Sequence, residues 1–157
     1  MSKIVKILSN SVLGRNNNCI LCHKNDKIDN KIIEDLDYTF YVLEKHNNEK
    51  VYQITEQDLI DPIFIPDFVI CTSLIHYQQA KNISVSLYLP LINILHEDIP
   101  VKKENSFMIS KEIDKDINLV LNKKTLEFLY ITNHIFLSDI KDIKQTIEDQ
   151  LKLWKPL

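Results

Sequence analysis

The sequence holds one glycine (Gly14), one alanine (Ala80) and one arginine (Arg15) among 157 residues. Each scarcity removes a class of function. A phosphate-cradling loop needs several glycines, because only a residue without Cβ lets the backbone close on the anion and take positive φ freely. With Gly14 alone there is no P-loop, no glycine-rich dinucleotide turn and no kinase glycine loop, and the GxSxG nucleophile elbow is missing as well. A single arginine leaves the other 18 basic positions to lysine. Lysine lacks the bidentate fork that reads guanine or clasps phosphate. A net charge of -3 adds repulsion from a phosphate backbone. Sequence-specific nucleic-acid binding is therefore not expected. Three cysteines are too few for a disulfide framework. The longest uncharged runs, 68–80 and 82–96, are too short to span a bilayer. Lys6 and Ser9-Asn10-Ser11 interrupt any apolar signal core. These features point to a soluble chain in the cytoplasm or another reducing compartment, without membrane contact.

The abundant residues are Ile (24), Lys (18) and Asn (14), a bias that follows A/T-rich codons. Asn tolerates the left-handed region next best after Gly. Left-handed turns are therefore expected at Asn10, Asn16 to Asn18, Asn25, Asn47, Asn48, Asn82 and Asn122. Charge is distributed in blocks: +4 over 1–25, -6 over 26–62, zero over 63–96 and -1 over 97–157. The neutral block is also the most apolar and reads as the centre of the core. No linker or repeat divides the chain, so 1–157 reads as one domain.

Strand-like segments dominate the pattern. Ile4 to Leu8 is a strand candidate ended by Ser9-Asn10-Ser11. Tyr38 to Leu43 and Val51 to Ile54, around Asn47-Asn48, read as a hairpin. Ile83, Val85, Leu87 and Leu89 alternate with Ser84, Ser86 and Tyr88 at period two, a strand signature, and Pro90 ends it. Ile117 to Leu121 and Leu126 to Ile131 read as a second hairpin. Residues 66–81 are ambiguous. Pro66-Asp67 opens like a helix, whereas Phe68 to Thr72 is β-branched and strand-like. Ser138 caps a final helix with Ile140, Ile143, Ile147, Leu151 and Trp154 along one face. The expected fold is α+β: a mostly antiparallel sheet of five to seven strands, with the C-terminal amphipathic helix packed on one face.

Cys19-Ile-Leu-Cys22-His23 is the one motif with chemical content. A CxxC knuckle sets two thiolates at the reach of one Zn²⁺, and Cys71 with His76 is the best second pair for a four-ligand site. No other cofactor is expected. The same residues also match covalent haem attachment (CxxCH) and a redox dithiol. Two unlinked thiols are the plain alternative. Leu13-Gly14-Arg15 with Asn18 to Leu21 resembles, over about ten residues, the opening of phosphothreonine-reading forkhead-associated domains. The Ser-x-x-His element and Asn-Gly turn of that family are missing, so the resemblance implies no function here. His96-Glu97-Asp98 is a titratable cluster that suits acid–base chemistry only inside a cleft. Asp35-Asp37 and Asp114-Asp116 lack the glycine of a calcium loop.

By elimination, the expected function is a non-catalytic intracellular subunit, adaptor or assembly factor that binds another protein or its own copy. The alternatives are a zinc-stabilised domain of a larger machine, using Cys19 and Cys22, and a small enzyme centred on a His or Cys, with His96 as its best residue.

Overall fold

The computed structural model describes residues 18–96, 109–127, 129 and 131–154. Seven strands form one sheet: β1 (Asn18–Cys22), β2 (Thr39–Val42), β3 (Tyr52–Gln53), β4 (Phe68–Cys71), β5 (Leu91–Leu95), β6 (Ile117–Val120) and β7 (Ile135–Phe136). Their spatial order is β3-β2-β1-β4-β5-β6-β7, and every neighbouring pair is parallel. This is the doubly wound order 3-2-1-4-5-6 with a seventh strand added. The expectation of an α+β, mostly antiparallel sheet is thereby corrected to α/β.

The correction has a physical cause. A parallel sheet is covered on both faces, so its strands carry apolar residues at successive positions rather than alternately. β1, β4 and β5 are buried at every residue. Along β1, Ile20 and Cys22 enter one apolar core while Cys19 and Leu21 enter the other. The 63–96 block contributes β4 and β5, which lie at the middle of the sheet.

Both expected hairpins are replaced. β2 and β3 run parallel, Tyr41 beside Tyr52, and their aromatic rings stack at 5.4 Å. Residues 43–51 are therefore a crossover and not a turn. Where the second hairpin was expected to return, Lys123–Glu127 is a 3-10 turn, and β6 pairs instead with β7. The Ile4 to Leu8 strand lies outside the described residues.

Four helical segments carry labels. α1 (Lys27–Asp35) follows β1, the single turn α2 (Glu56–Leu59) follows β3, α3 (Tyr77–Leu87) follows β4, and α4 (Ile143–Leu153) ends the described chain. α1 and α4 cover one face through Ile32, Ile33, Ile143, Ile147 and Leu151. α3 covers the other through Tyr77, Ala80 and Ile83, with Ile113, Leu129 and Ile131 beside it. The ambiguous 66–81 segment is both things in turn: strand at Phe68–Cys71, a 3-10 turn at Leu74–His76, then α3. α3 is tied to the sheet by Asp116, which accepts from Tyr77 Oη (2.7 Å), Lys81 Nζ (2.7 Å) and Asn93 Nδ2 (3.2 Å). Burial and the Asp116 carboxylate together push the Tyr77 phenol far above its ordinary range.

The strand expected over 83–89 is the C-terminal part of α3. Its alternation is accidental. The core-facing positions, Tyr77, Ala80, Ile83 and Ser84, follow helical spacing that begins before the alternating window. Val85 and Tyr88, which an alternating strand would set on opposite faces, are both exposed. Tyr88 ends the helix at φ 56°, the left-handed C-terminal position that Gly normally fills. An L-residue with a Cβ there costs roughly 1–2 kcal/mol. Because Tyr88 is 78% exposed, it recovers little of this through packing. Tyr88→Gly should therefore stabilise the fold by about 1 kcal/mol, seen as a higher urea midpoint at unchanged slope.

Candidate functional site

In a doubly wound sheet, ligands bind outside the carboxyl ends of the strands, where the chain switches from one side of the sheet to the other. Here the switch lies between β1 and β4. Four of the five histidines fall on that edge, each in the segment following a strand: His23 after β1, His46 after β2, His76 after β4 and His96 after β5. His134 precedes β7 and lies at the opposite edge. In the sequence these histidines are widely separated and share no HxH or HExxH spacing. Their convergence becomes visible only with parallel strand order, which brings residues 23, 46, 76 and 96 to one edge.

The β1–α1 connection opens with Asn25 at φ 61°, as the composition predicts, whereas Asn18, Asn47, Asn48, Asn82 and Asn122, expected to do the same, are not left-handed. Asp26 then caps α1. Its Oδ1 accepts from Ile28 N (3.1 Å) and Asp29 N (3.4 Å), while Asp29 Oδ2 accepts from Asp26 N (3.0 Å). The helix N-terminus where dinucleotide folds seat a phosphate is thus already filled by a carboxylate. Across the crevice, the Thr72 hydroxyl donates to Asp29 Oδ1, and Thr72 N donates to Cys22 O at 3.0 Å. His96 Nε2 donates to Thr72 O at 2.7 Å and lies 3.9 Å from Asp26 Oδ2. His96 lies with Asp26, Lys27, Ile28 and Lys31 around a shallow surface depression of about 420 Å³, and Glu97 and Asp98 lie outside the described residues.

Residues 43–51 clasp this edge. His23 Nε2 donates to Glu44 O (3.0 Å), Asn25 Nδ2 to Lys45 O (3.1 Å), and Asn47 N to Asn25 Oδ1 (3.1 Å). The His23 and His46 rings meet edge-on with centroids 4.5 Å apart. Each accepts a backbone N–H at Nδ1, from Asn25 (3.1 Å) and Asn48 (2.9 Å) respectively. That contact places the proton of both neutral rings on Nε2. On the far side of the clasp, His76 Nε2 meets Glu44 Oε2 at 3.2 Å.

His23, Asp29 and His46 each present one potential metal-ligand atom, all within 4.8 Å of one another. The hydrogen bonds oppose coordination. Both His23 nitrogens and both Asp29 oxygens are engaged, and His46 Nε2 carries a proton rather than a lone pair.

Cys19 and Cys22 are not a knuckle. They stand three apart on a strand, so their side chains point to opposite faces and enter different cores. One tetrahedral ion does not reach both sulfurs without β1 leaving the sheet. Cys22 lies beside Cys71 in the β1–β4 register, and the Cys71 thiol donates to Ser73 O at 3.1 Å. His76, the other proposed ligand, points to Glu44. Burial pushes the Cys22 thiol up to about 12, and burial with the Asp67 charge raises Cys19 well above its ordinary value.

Three buried or half-buried side-chain atoms on the carboxyl edge have no hydrogen-bond partner among the described residues: His46 Nε2, Ser73 Oγ and His76 Nδ1. His46 is 6% exposed and Ser73 2%. Comparisons with protein-family models, with curated proteins and with solved structures returned no match.

Two outcomes follow from these environments. With all three thiols buried and those of Cys19 and Cys22 raised above their ordinary value, DTNB at neutral pH should label the native protein far more slowly than the urea-unfolded chain, which should release three equivalents. Loss of hydration on burial, then the electrostatic influence of His23 at ring contact, holds His46 below its usual value, against the pull of Asp29 and Asp26. Below the ordinary value of 6.5 the unfolded chain therefore takes up a proton that folded His46 resists. Stability falls as pH drops through that value toward the folded one. His46→Gln should shrink the difference in urea midpoint between pH 7.5 and pH 5.5 (pH settings chosen about one unit either side of the ordinary His value).

Proposed function

We propose that the chain binds a small, neutral, hydroxyl-bearing molecule at the carboxyl edge of its sheet, between β1 and β4. The observation that carries this reading is the set of unpaired polar atoms there. Their chemistry is mixed. His46 Nε2–H is a donor in want of an acceptor, because its Nδ1 already accepts from Asn48. His76, with the proton on the nitrogen facing Glu44, leaves Nδ1 as an acceptor in want of a donor. Ser73 Oγ can serve as either. A hydroxyl group both donates and accepts, so the hydroxyls of a polyol can satisfy each of them. A phosphate is chiefly an acceptor and negatively charged, and meets the carboxylates of Asp26, Asp29 and Glu44 on the same edge. An ammonium only donates and leaves His46 unsatisfied. If a proton is moved in this site, His96 is the group placed to move it: Thr72 O fixes its Nε2–H and leaves Nδ1 as the base.

The protein-binding reading, reached by elimination from the sequence, would use a different surface, the outward side of the 3-10 turn and α3. The exposed residues Ile75, Val85 and Tyr88 there favour it.

Titration with sorbitol, inorganic phosphate and methylammonium, followed by NMR at His46, Ser73 and His76, tests the small-molecule reading. Sorbitol alone should shift these resonances. Ser73→Ala removes a buried hydroxyl whose unsatisfied state costs about 1–3 kcal/mol. It should raise the stability of the free protein while weakening the sorbitol response. Shifts from phosphate or methylammonium instead, or from none of the three, would contradict the reading.

A further inference from the structure

The outward face of the 3-10 turn and α3 differs from the other helical surfaces. α1 exposes Lys27, Lys31, Glu34 and Asp35, and α4 exposes Asp149 and Lys152. The corresponding stripe here is Ile75, Gln78, Asn82 and Val85, at spacings of three, four and three, and none of these is charged. Ile75 is 78% exposed and Val85 61%, and Tyr88 continues the row beyond the helix end. The one charged residue of α3, Lys81, is turned aside to Asp116. A groove of about 710 Å³ along one flank extends the apolar surface through Leu59, Ile60, Ile83 and Leu87.

We propose that this face pairs with the same face of a second copy, the two α3 helices running antiparallel about a twofold axis. The stripe is its own complement. Ile75 and Val85 lie five residues either side of Ala80, and Gln78 and Asn82 lie two residues either side. Antiparallel pairing centred there sets Ile75 of one copy against Val85 of the other, twice, and Gln78 against Asn82, twice. The polar pair at the centre also fits. Within one chain Gln78 Nε2 already donates to Asn82 Oδ1 at 3.1 Å. This leaves Gln78 Oε1 and Asn82 Nδ2 free to bond across the axis, acceptor to donor in both directions. A twofold contact brings each charge on the face toward its own copy, so an uncharged stripe is what such a contact requires. Charged groups flank the stripe, with Glu56 in the groove on one side and Lys115 and Asp116 in the depression beside Val85 and Tyr88, but none of the four stripe residues carries one.

The experiment is sedimentation equilibrium of the full chain across a concentration series, with circular dichroism to confirm folding. The wild type should dimerise. Val85→Glu should weaken association at least tenfold, and so should Ile75→Lys. The two substitutions in one chain should restore it toward the wild-type constant, because antiparallel pairing sets each new acid against a new base. A wild type that stays monomeric overturns the proposal. So does a dimer indifferent to both single substitutions. Rescue failing while both single variants remain folded overturns the antiparallel register. Both substituted positions are exposed, so neither depends on core packing to fold.

Discussion

The parallel pairing of β1 with β4 is the contact on which everything else rests. It sets Cys19 beside Phe68 and Cys22 beside Cys71, and it joins two halves of the chain that wind in opposite directions. Were β1 paired only with β2, no switch would exist and the segments after β1 and β4 would not face one another. The join is made almost wholly of apolar residues buried on both faces, so a slip in its register would move every side chain to the wrong core. Thr72 closes the end of this pair, with its backbone amide on Cys22 O and its hydroxyl on Asp29. The strand pair and the first helix are thereby joined at the carboxyl edge of the sheet.

The fold was partly legible in the sequence, and the misreadings have physical causes. Tyr38 to Leu43, Val51 to Ile54, Phe68 to Thr72 and Ile117 to Leu121 each contain a strand. Strand content is local, set by β-branched and aromatic residues. Direction is not local. Asn47-Asn48 suggested a hairpin, but those residues serve a clasp in which Asn47 N bonds Asn25 Oδ1 and Asn48 Nδ2 bonds Asn30 and Glu34. The Ile83 to Leu89 alternation misled for another reason: over seven residues, periods of 2 and 3.6 overlap, and Tyr77 and Ala80, which decide the matter, lie outside the window. At the candidate site, Asn25 was legible as a left-handed residue. His46 and Ser73 were not, because nothing adjacent in sequence announces that a residue stands at the end of a parallel strand.

Glycine scarcity takes on a structural meaning at the first βα turn. A dinucleotide fold uses glycines there so that bare amides can approach an anion. This chain fills the position with Asn25, which turns the backbone, and Asp26, which takes the amides of Ile28 and Asp29 for itself. The same two residues anchor the clasp and face His96. The turn has thus become a rigid polar wall rather than an anion cradle. This agrees with a ligand held by side-chain donors and acceptors around a crevice instead of by backbone amides beneath a phosphate.

The neutrality of residues 63–96 has two origins, and the sequence showed only one. β4 and β5 are neutral because they are buried on both faces, where an unpaired charge is costly. That reason does not extend to Ile75, Gln78, Asn82 and Val85, which face solvent. Solvent does not penalise a charge, and the outward faces of α1 and α4 carry several. Codon bias does not explain it either, since the same bias that enriches Ile and Asn also supplies 18 lysines, the commonest way to charge a helix surface. The pairing with a second copy proposed above is one cause outside the monomer that would keep Ile75, Gln78, Asn82 and Val85 uncharged. The turn that begins this face also carries Ser73 and His76. One continuous segment after β4 therefore borders both the proposed ligand site and the proposed pairing surface. Any differential affinity of a ligand for the paired chain must appear as an equal effect of pairing on ligand affinity.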